Sequence, residues 1–373
     1  MKLLLTYDLK KLMKNYKRDY KITEKENLIG IENISKQGRP HLVKLPSKLT
    51  ISPEVAGLIV GEGYLGGRSF VFANSNEKAI DLVLDFLRQF KIPVRMYLEI
   101  STKNVSKKFI KNSQYFWENH LNIKLDRVRK REEFNNITKN GTIHLCLNGK
   151  IICEIIEKII NLSKRKAEKN KNVSTSYLKG IIAAEGNINV KGKTNCLYMV
   201  RISATKQEER NHYKRCLNSS GVNIYCKDML SVSKEEAKEK KWKTTKGRAG
   251  CVIISRWENF VKVLELGLLD LNIEKREKFI KSFINNKFTK QFLDFKYFID
   301  RKFSMKDAQN YFNLKGRYLN RVLTLYNQGY IKRKKLNKVK FEYMLTKEYL
   351  NLYNKIIQEA RLFQITPSFN SQS

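Results

Sequence analysis

The chain has 373 residues, 42% of them apolar and 11% aromatic, which is enough for two or three domains with real cores and excludes wholesale disorder. Lys and Arg number 74 against 36 Asp and Glu, a formal net charge of +38 that points to a polyanionic partner, a nucleic acid. No stretch reaches the ~20 apolar residues of a membrane span, and the six cysteines (Cys146, Cys153, Cys196, Cys216, Cys226 and Cys251) form no C-x-x-C pair and do not cluster with the four histidines, which argues against a zinc site or a disulfide framework. Reduced thiols fit an intracellular protein, cytoplasmic or organellar.

In chain order, Asp8 to Asp19 reads as a short, basic, amphipathic helix, and residues 28–42 show no clear period. Residues 1–44 are therefore expected to be a basic N-terminal extension, an arm laid along nucleic acid or across the first domain. Ser52 then Pro53 supplies an N-cap and a first-turn proline for a helix through VAGLIVGEG, residues 55–63. A hairpin through Gly66-Gly67 follows, with Phe70-Val71-Phe72 in its second strand. The next helix spaces Ile80, Val83, Leu84 and Leu87 three or four apart. A strand at 142–147 and a helix at 151–160 complete the unit.

After a polar, basic linker (KRKAEKNKN, 164–172) the same order returns. LKGIIAAEG at 178–186 repeats the first helix, with the Ser174-Thr175-Ser176 run offering caps. Residues 187–191, a turn at Gly192 and a strand at 197–204 make a second hairpin. A helix over 207–217 follows, then a strand at 251–255 and a helix at 257–266. Gly63 and Gly186 are expected to end the two motif helices in the left-handed conformation.

At about 100° per residue, Val55, Leu58 and Ile59 share one face of the first motif helix while Gly57, Val60 and Gly61 share the other. The second copy opposes Leu178, Ile181 and Ile182 to Gly180, Ala183 and Ala184. A small-residue face permits close backbone approach to a second helix, and its own repeat is the available partner. Unrelated buried helices would explain one copy, but not two with the same downstream order. Glu62 and Glu185 each end a helix, where the macrodipole is negative and a basic residue is preferred. If the small faces pair in parallel, both carboxylates meet at one end and need a cation to neutralise them. Carboxylates completed by phosphate oxygens and water suit Mg²⁺.

These residues resemble the LAGLIDADG family of homing endonucleases in its two-motif, single-chain form, over roughly residues 45–288. The resemblance implies an α+β fold of two pseudo-symmetric αββαββα subdomains, with the motif helices at their interface and the sheets forming a DNA-binding saddle. It implies that the last acidic residue of each motif, Glu62 and Glu185, binds divalent ions, helped by the carbonyls of Gly61 and Ala184, with two or more Mg²⁺ shared between the glutamates. It further implies a site-specific, staggered double-strand cut in a long, asymmetric target of roughly 20 base pairs, read mainly in the major groove. The expected enzyme is a monomer with internal pseudo-two-fold symmetry. Val60 and Ala183 depart from the motif's sixth-position Asp, which faces packing, and Glu replaces Asp at the eighth. Order along the chain makes Lys206 and Lys275 the candidates for the basic residues that the family places around the attacking water; solvated surface lysines are the plain alternative.

In such a saddle Arg68 in the first hairpin, and Lys191, Lys193 and Arg201 in the second, could face DNA. So could Lys243, Lys246 and Arg248 in the basic insertion 227–250, as an extended hairpin or a loop that orders on the duplex. The C-terminal part reads as a winged helix-turn-helix: a capped helix from Ser304, a turn, a helix over 317–328 ended by Gly329, and a hairpin. Leu319, Val322, Leu323 and Tyr326 form its expected buried stripe. Exposed Arg317, Tyr318, Asn320, Arg321 and Thr324 then resemble a recognition helix, preceded by Lys315 in the turn. Lys332, Arg333, Lys334 and Lys335 in the wing point to phosphates. Residues 296–350 hold 14 basic and 4 acidic side chains, which favours DNA contact over a generic helical cap. The expected partition is 1–44 extension, 45–163 first subdomain, 164–173 linker, 174–288 second subdomain, 289–360 winged helix, 361–373 tail. Alternative functions are a non-cleaving, DNA-binding transcription regulator on the same scaffold and a maturase that binds intron RNA.

Overall fold

Short Gly- and Pro-punctuated apolar runs give strands, and longer 3.6-period runs give helices, so the chain folds as a mixed α+β protein. The structure, a computed structural model, describes residues 3–14, 20–33, 42–101, 106–131, 139–228, 230–231, 233–239, 246–248, 250–312, 320–337 and 340–366. They fall into two compact units: Met1–Asn187 with Val200–Ile254 and Lys262–Ile273, and Ile188–Met199 with Ser255–Val261 and Glu274–Ser373.

In the first unit, β1 (Leu5–Asp8) leads into α1 (Leu9–Met13), capped by the Asp8 side chain. Strands β2 (Tyr20–Lys25), β3 (Leu28–Asn33) and β4 (Leu42–Pro46) form an antiparallel sheet, and β5 (Lys48–Ile51) pairs with β1. The N-terminal segment is thus folded where no period was legible. Among the described residues of 28–42 only Ile29 and Ile31 go inward, 0% and 1% exposed, and Gly30 between them dilutes the alternation. It is anchored on the helix that closes the first repeat: Tyr7 hydrogen-bonds Ser163 at 2.9 Å and Lys158 donates to the Leu12 carbonyl at 2.8 Å. The helix expected over residues 8–19 is short, and 15–19 lie outside the described residues.

The first repeat runs α2 (Pro53–Glu62), β6 (Gly63–Leu65), β7 (Ser69–Asn74), α3 (Glu77–Arg88), β8 (Arg95–Ser101), α4 (Lys107–Leu121), β9 (Arg127–Arg131), β10 (Thr142–Asn148) and α5 (Lys150–Lys169). Its sheet has the order β6-β7-β10-β8-β9, all antiparallel except β8 with β9. Phe70, Phe72, Leu98, Ile143, Leu145 and Leu147 point to one face and are fully buried, as period-2 alternation requires. The α3 residues Ile80, Val83, Leu84 and Leu87 are buried as predicted.

The expected linker over 164–173 is instead helical. α5 continues to Lys169, Asn170 alone breaks the run, and α6 (Lys171–Glu185) starts at once. The charges flank a buried stripe in which Ser163 and Ala167 are 0% exposed, and nothing in the segment is a helix breaker. The predicted cap is corrected with it: the Asn170 side chain accepts from the Asn172 and Val173 amides, while Ser174 is buried and donates to the Cys216 carbonyl at 2.7 Å. After α6 come β11 (Gly186–Val190), β12 (Leu197–Ser203), α7 (Gln207–Ser219), β13 (Tyr225–Lys227) and β16 (Cys251–Ile254). Within the first unit β12, β16 and β13 pair in that order. The basic insertion holds β14 (Leu230–Ser231), α8 (Lys234–Glu239) and β15 (Lys246–Arg248), with β14 and β15 paired.

Beyond it, α9 (Trp257–Glu265) begins in the second unit, which also holds α10 (Ile273–Ile284) from Glu274 onward, α11 (Lys287–Asp294), α12 (Met305–Tyr311), α13 (Asn320–Asn327), the hairpin β17 (Ile331–Lys335) and β18 (Phe341–Leu345), and α14 (Lys347–Leu362). Trp257, Phe292 and Tyr349 form its aromatic core, and Arg276 grips Glu359 through two nitrogens. The Ser304–Asp307 capping box is present in full. The buried stripe of α13 is corrected: Val322 and Leu325 go inward at 3% and 1% exposure, whereas Leu323 is 36% exposed. Three-residue spacing toward the hairpin decides the face, and Arg321 and Thr324, expected outside, are half-buried. Leu319 lies outside the described residues.

Candidate functional site

The motif glutamates stand at offset 123 (185 − 62), and that offset also relates Gly57 to Gly180 and Leu58 to Ile181. The contacts of α2 and α6 obey the same exchange. A Cβ built on Gly57 would overlap the Tyr177 carbonyl and lie 3.0 Å from the Ile181 nitrogen. One built on Gly180 would overlap the Glu54 carbonyl and lie 2.6 Å from the Leu58 nitrogen. Each glycine therefore meets the equivalent residues of the other helix, backbone against backbone, which no larger side chain allows. At the next turn a Cβ on Gly61 would overlap the Cβ of Ala184 and lie 3.3 Å from the Cγ of Glu185. The helices run parallel, and Glu62 and Glu185 end them on the same side.

Both helices pass straight into a strand. Gly63 (φ −86°, ψ 140°) and Gly186 (φ −73°, ψ 140°) are extended, which corrects the left-handed ending read from sequence. Glycine is required there for a different reason: a Cβ would collide with the carbonyl of Ile59 or Ile182 one turn back. Glu62 is exposed and Glu185 half-buried. Tyr213 is buried nearby, and burial, with Glu209 and Glu185 adding, pushes its phenol well above the usual tyrosine range, so it stays protonated. Two carboxylates beside two negative helix ends form a locally acidic point in a chain of net charge +38. Among the described residues no three His, Cys, Asp or Glu side chains converge as a metal cage. A pair of carboxylates fits a hard cation that keeps waters and takes phosphate oxygens, the usual habit of Mg²⁺.

Lys206 and Lys275 belong to different units. Lys206 occupies the N-cap position of α7, exposed, and opens on a groove with Asn161, Arg165, Glu168 and His212. Lys275 is half-buried in the first turn of α10, in the second unit.

Of the expected DNA-facing residues, Arg68 is exposed in the β6–β7 turn. Arg201 lies on the outer face of β12, opposite in direction to the buried Val200 and Ile202. Lys191 and Lys193 are exposed in the turn before β12, with Lys191 5.8 Å from the Tyr198 ring. Lys246 and Arg248 belong to β15, and Asn320 starts α13. Lys332, Arg333, Lys334 and Lys335 are exposed along β17, with Arg333 packed over Tyr326 and Phe341. Lys243, Lys315, Arg317 and Tyr318 lie outside the described residues. Sequence reasoning missed a further basic face. Arg95 on β8 and Arg127, Arg129 and Arg131 on β9 are all exposed on the outer side of the first sheet. The alternating RVRKR at 127–131 was the available signal.

No family profile and no curated protein matches the sequence. Among solved structures, the chain is similar to the homing endonuclease I-DmoI in complex with DNA and Ca, at 14% identity and a TM-score of 0.32, over 57% of this chain and 86% of that one. Mesophilic variants of I-DmoI match at 14% identity and a TM-score of 0.33, over 59% and 96%. Full-length WhiA from Thermatoga maritima matches at 16% identity and a TM-score of 0.31, over 84% and 92%. Likeness at this level carries no functional argument; the chain's own helix pair and charge do. No helix among the described residues is long and apolar enough to cross a membrane.

Proposed function

We propose that the chain is a site-specific endonuclease that cuts double-stranded DNA at the shared end of α2 and α6. The observation that carries this reading is the reciprocal glycine-to-backbone contact of the two helices, which sets Glu62 and Glu185 at one end as an exchange-related pair. A duplex has local two-fold symmetry of its own, so a two-fold pair of carboxylates can address one phosphate on each strand. The net charge of +38 supplies the attraction to the duplex.

In this reading Glu62 and Glu185, with the carbonyls of Gly61 and Ala184, would hold the divalent ions, for which Mg²⁺ is the fitting species. Such ions would supply Lewis-acid stabilisation of the phosphodiester and an activated water. Glu185 leans over Gly61, and the protonated Tyr213 adds no competing charge behind it. Lys206 and Lys275 are the proposed basic groups around the attacking water. The two repeats are the proposed halves of a saddle. The segment from α12 to β18 is a proposed winged helix that adds phosphate contacts through Lys332, Arg333, Lys334 and Lys335.

The test is cleavage of a randomised duplex library by the parent and by Glu62→Gln/Glu185→Gln, with Mg²⁺ and with EDTA. Site-specific cuts that require both the glutamates and the metal are expected. Selective duplex binding with no cutting under any divalent metal would replace the enzyme with a regulator.

A further inference from the structure

Three neighbouring strands of the first sheet set His144, Tyr97 and Arg127 side by side, since Tyr97 is paired with His144 on β10 and with Arg127 on β9. The Tyr97 and His144 rings stack at 4.4 Å with 14° between their planes. The guanidinium carbons of Arg127 and Arg129 lie 4.8 and 4.4 Å from the centre of the Tyr97 ring, and Arg129 donates to the Tyr97 hydroxyl at 3.4 Å. Arg131 is held differently, by an ion pair with Glu99 at 3.1 Å. Among the described residues Arg127 and Arg129 form no ion pair, although both are exposed.

The second sheet has the same line of positions with other contents. Arg201, Ile253 and Tyr225 stand abreast on β12, β16 and β13, and β13 is the last strand of that sheet. Tyr225, the counterpart of Tyr97 by strand order, is 62% exposed, whereas Tyr97 is 9% exposed beneath its arginines.

A phosphate is satisfied by a mobile point charge, and this chain has lysines in excess. A guanidinium fixed by stacking on a ring has lost rotamer freedom in advance, which helps most where the target demands bidentate geometry. The commonest such target in duplex DNA is the O6/N7 edge of guanine. Building on the DNA reading above, we propose that Arg127 and Arg129 are specificity-determining residues that read guanine in the half-site under the first repeat. Tyr97 positions them, and that half of the target is read more stringently than the other.

The test selects bound duplexes from a randomised library with the full-length parent and with Arg127→Lys, Arg129→Lys and Arg131→Lys, each checked for an unchanged melting temperature. Lysine keeps the charge and loses the fork. The parent should select guanine at one or two adjacent positions of one half-site. Arg127→Lys or Arg129→Lys should each lose roughly 5- to 150-fold of that preference, with the salt dependence unchanged and the other half-site intact. Arg131→Lys should keep it. Lysine variants that retain the parent's base preferences would reduce the arginines to phosphate contacts and overturn the assignment. A parent that selects no duplex sequence would overturn the DNA reading and this assignment with it.

Discussion

Helices α2 and α6 exchange equivalent backbone contacts, whereas the helices that follow them, α3 and α7, have opposite interiors. The buried face of α3 is wholly apolar: Ala79, Ile80, Val83, Leu84, Phe86 and Leu87. That of α7 holds Arg210, His212, Tyr213, Cys216 and Leu217. His212 approaches Glu168 at 2.6 Å through Nδ1, which therefore carries the ring proton, and Arg215 donates to the same carboxylate oxygen at 2.7 Å. Arg210 is 4% exposed and donates to the Ala204 and Thr205 carbonyls at 3.0 and 2.9 Å. The repeat is strict where two backbones touch and relaxed where side chains can substitute for one another. Close approach tolerates almost no volume, while a helix-on-sheet interior can be filled with rings or with paired polar groups.

The largest effect should come from filling the strict region. Gly57→Ala and Gly180→Ala should each destabilise by about 1–3 kcal/mol, toward the upper end because backbone meets backbone. Thermal melting should show equal losses for the two, and none for Gly192→Ala, where a Cβ meets nothing within 4 Å. Unequal losses would break the exchange symmetry.

The next effect is acid sensitivity at the contact of α5 with α7, where His212 meets Glu168. Burial holds the His212 ring below its ordinary value of 6.5 and outweighs the raising effect of Glu168, with Lys164 and Arg215 adding to the depression. Below pH 6.5 the unfolded chain binds a proton that the folded ring refuses. Stability present above that pH is thus lost as pH falls toward the depressed value, by at most about 1.4 kcal/mol per pH unit. Glu168 titrates later: its carboxyl lies below its ordinary 4.5, chiefly through the Arg215 hydrogen bond, and adds a second loss below that pH. Melting curves of His212→Gln across pH 7.5 to 5.5 should be flatter than the parent's; an unchanged slope would move the sensitivity elsewhere.

The smallest effect separates the two helix starts. Ser52 caps α2 through one long bond of 3.4 Å, while Asn170 caps α6 through two, at 3.0 and 3.1 Å. Asn170→Ala should cost more than Ser52→Ala, both within about 0.5–2 kcal/mol, as denaturant midpoints would register.

Much of the architecture was legible because it rests on local periodicity. The glycine-bearing motifs, the hairpin through Gly66-Gly67, the α3 stripe and the Ser304 capping box follow from residues within a turn or two of one another. What escaped was non-local. The inward turn of Ile29 and Ile31 depends on pairing with β2 and β4. The α5–α6 junction reads as a linker because its charges mask a buried stripe, and the face of α13 is chosen by the hairpin it packs on. For the proposed site, repetition alone singles out Glu62 and Glu185. The alternating RVRKR marks a basic strand at Arg127 and Arg129, but not their stacking on Tyr97, about thirty residues away across a parallel pairing.

In the proposed function Glu62 and Glu185 act as one shared centre. The most direct measurement compares Glu62→Gln and Glu185→Gln singly with the double variant, following nicked and linear products on a selected duplex in Mg²⁺ while binding is monitored in parallel. Each single change is expected to remove double-strand cutting about as completely as both together, by at least ~100-fold, with duplex binding retained. A single variant that still linearises the duplex at the parent's rate would contradict it.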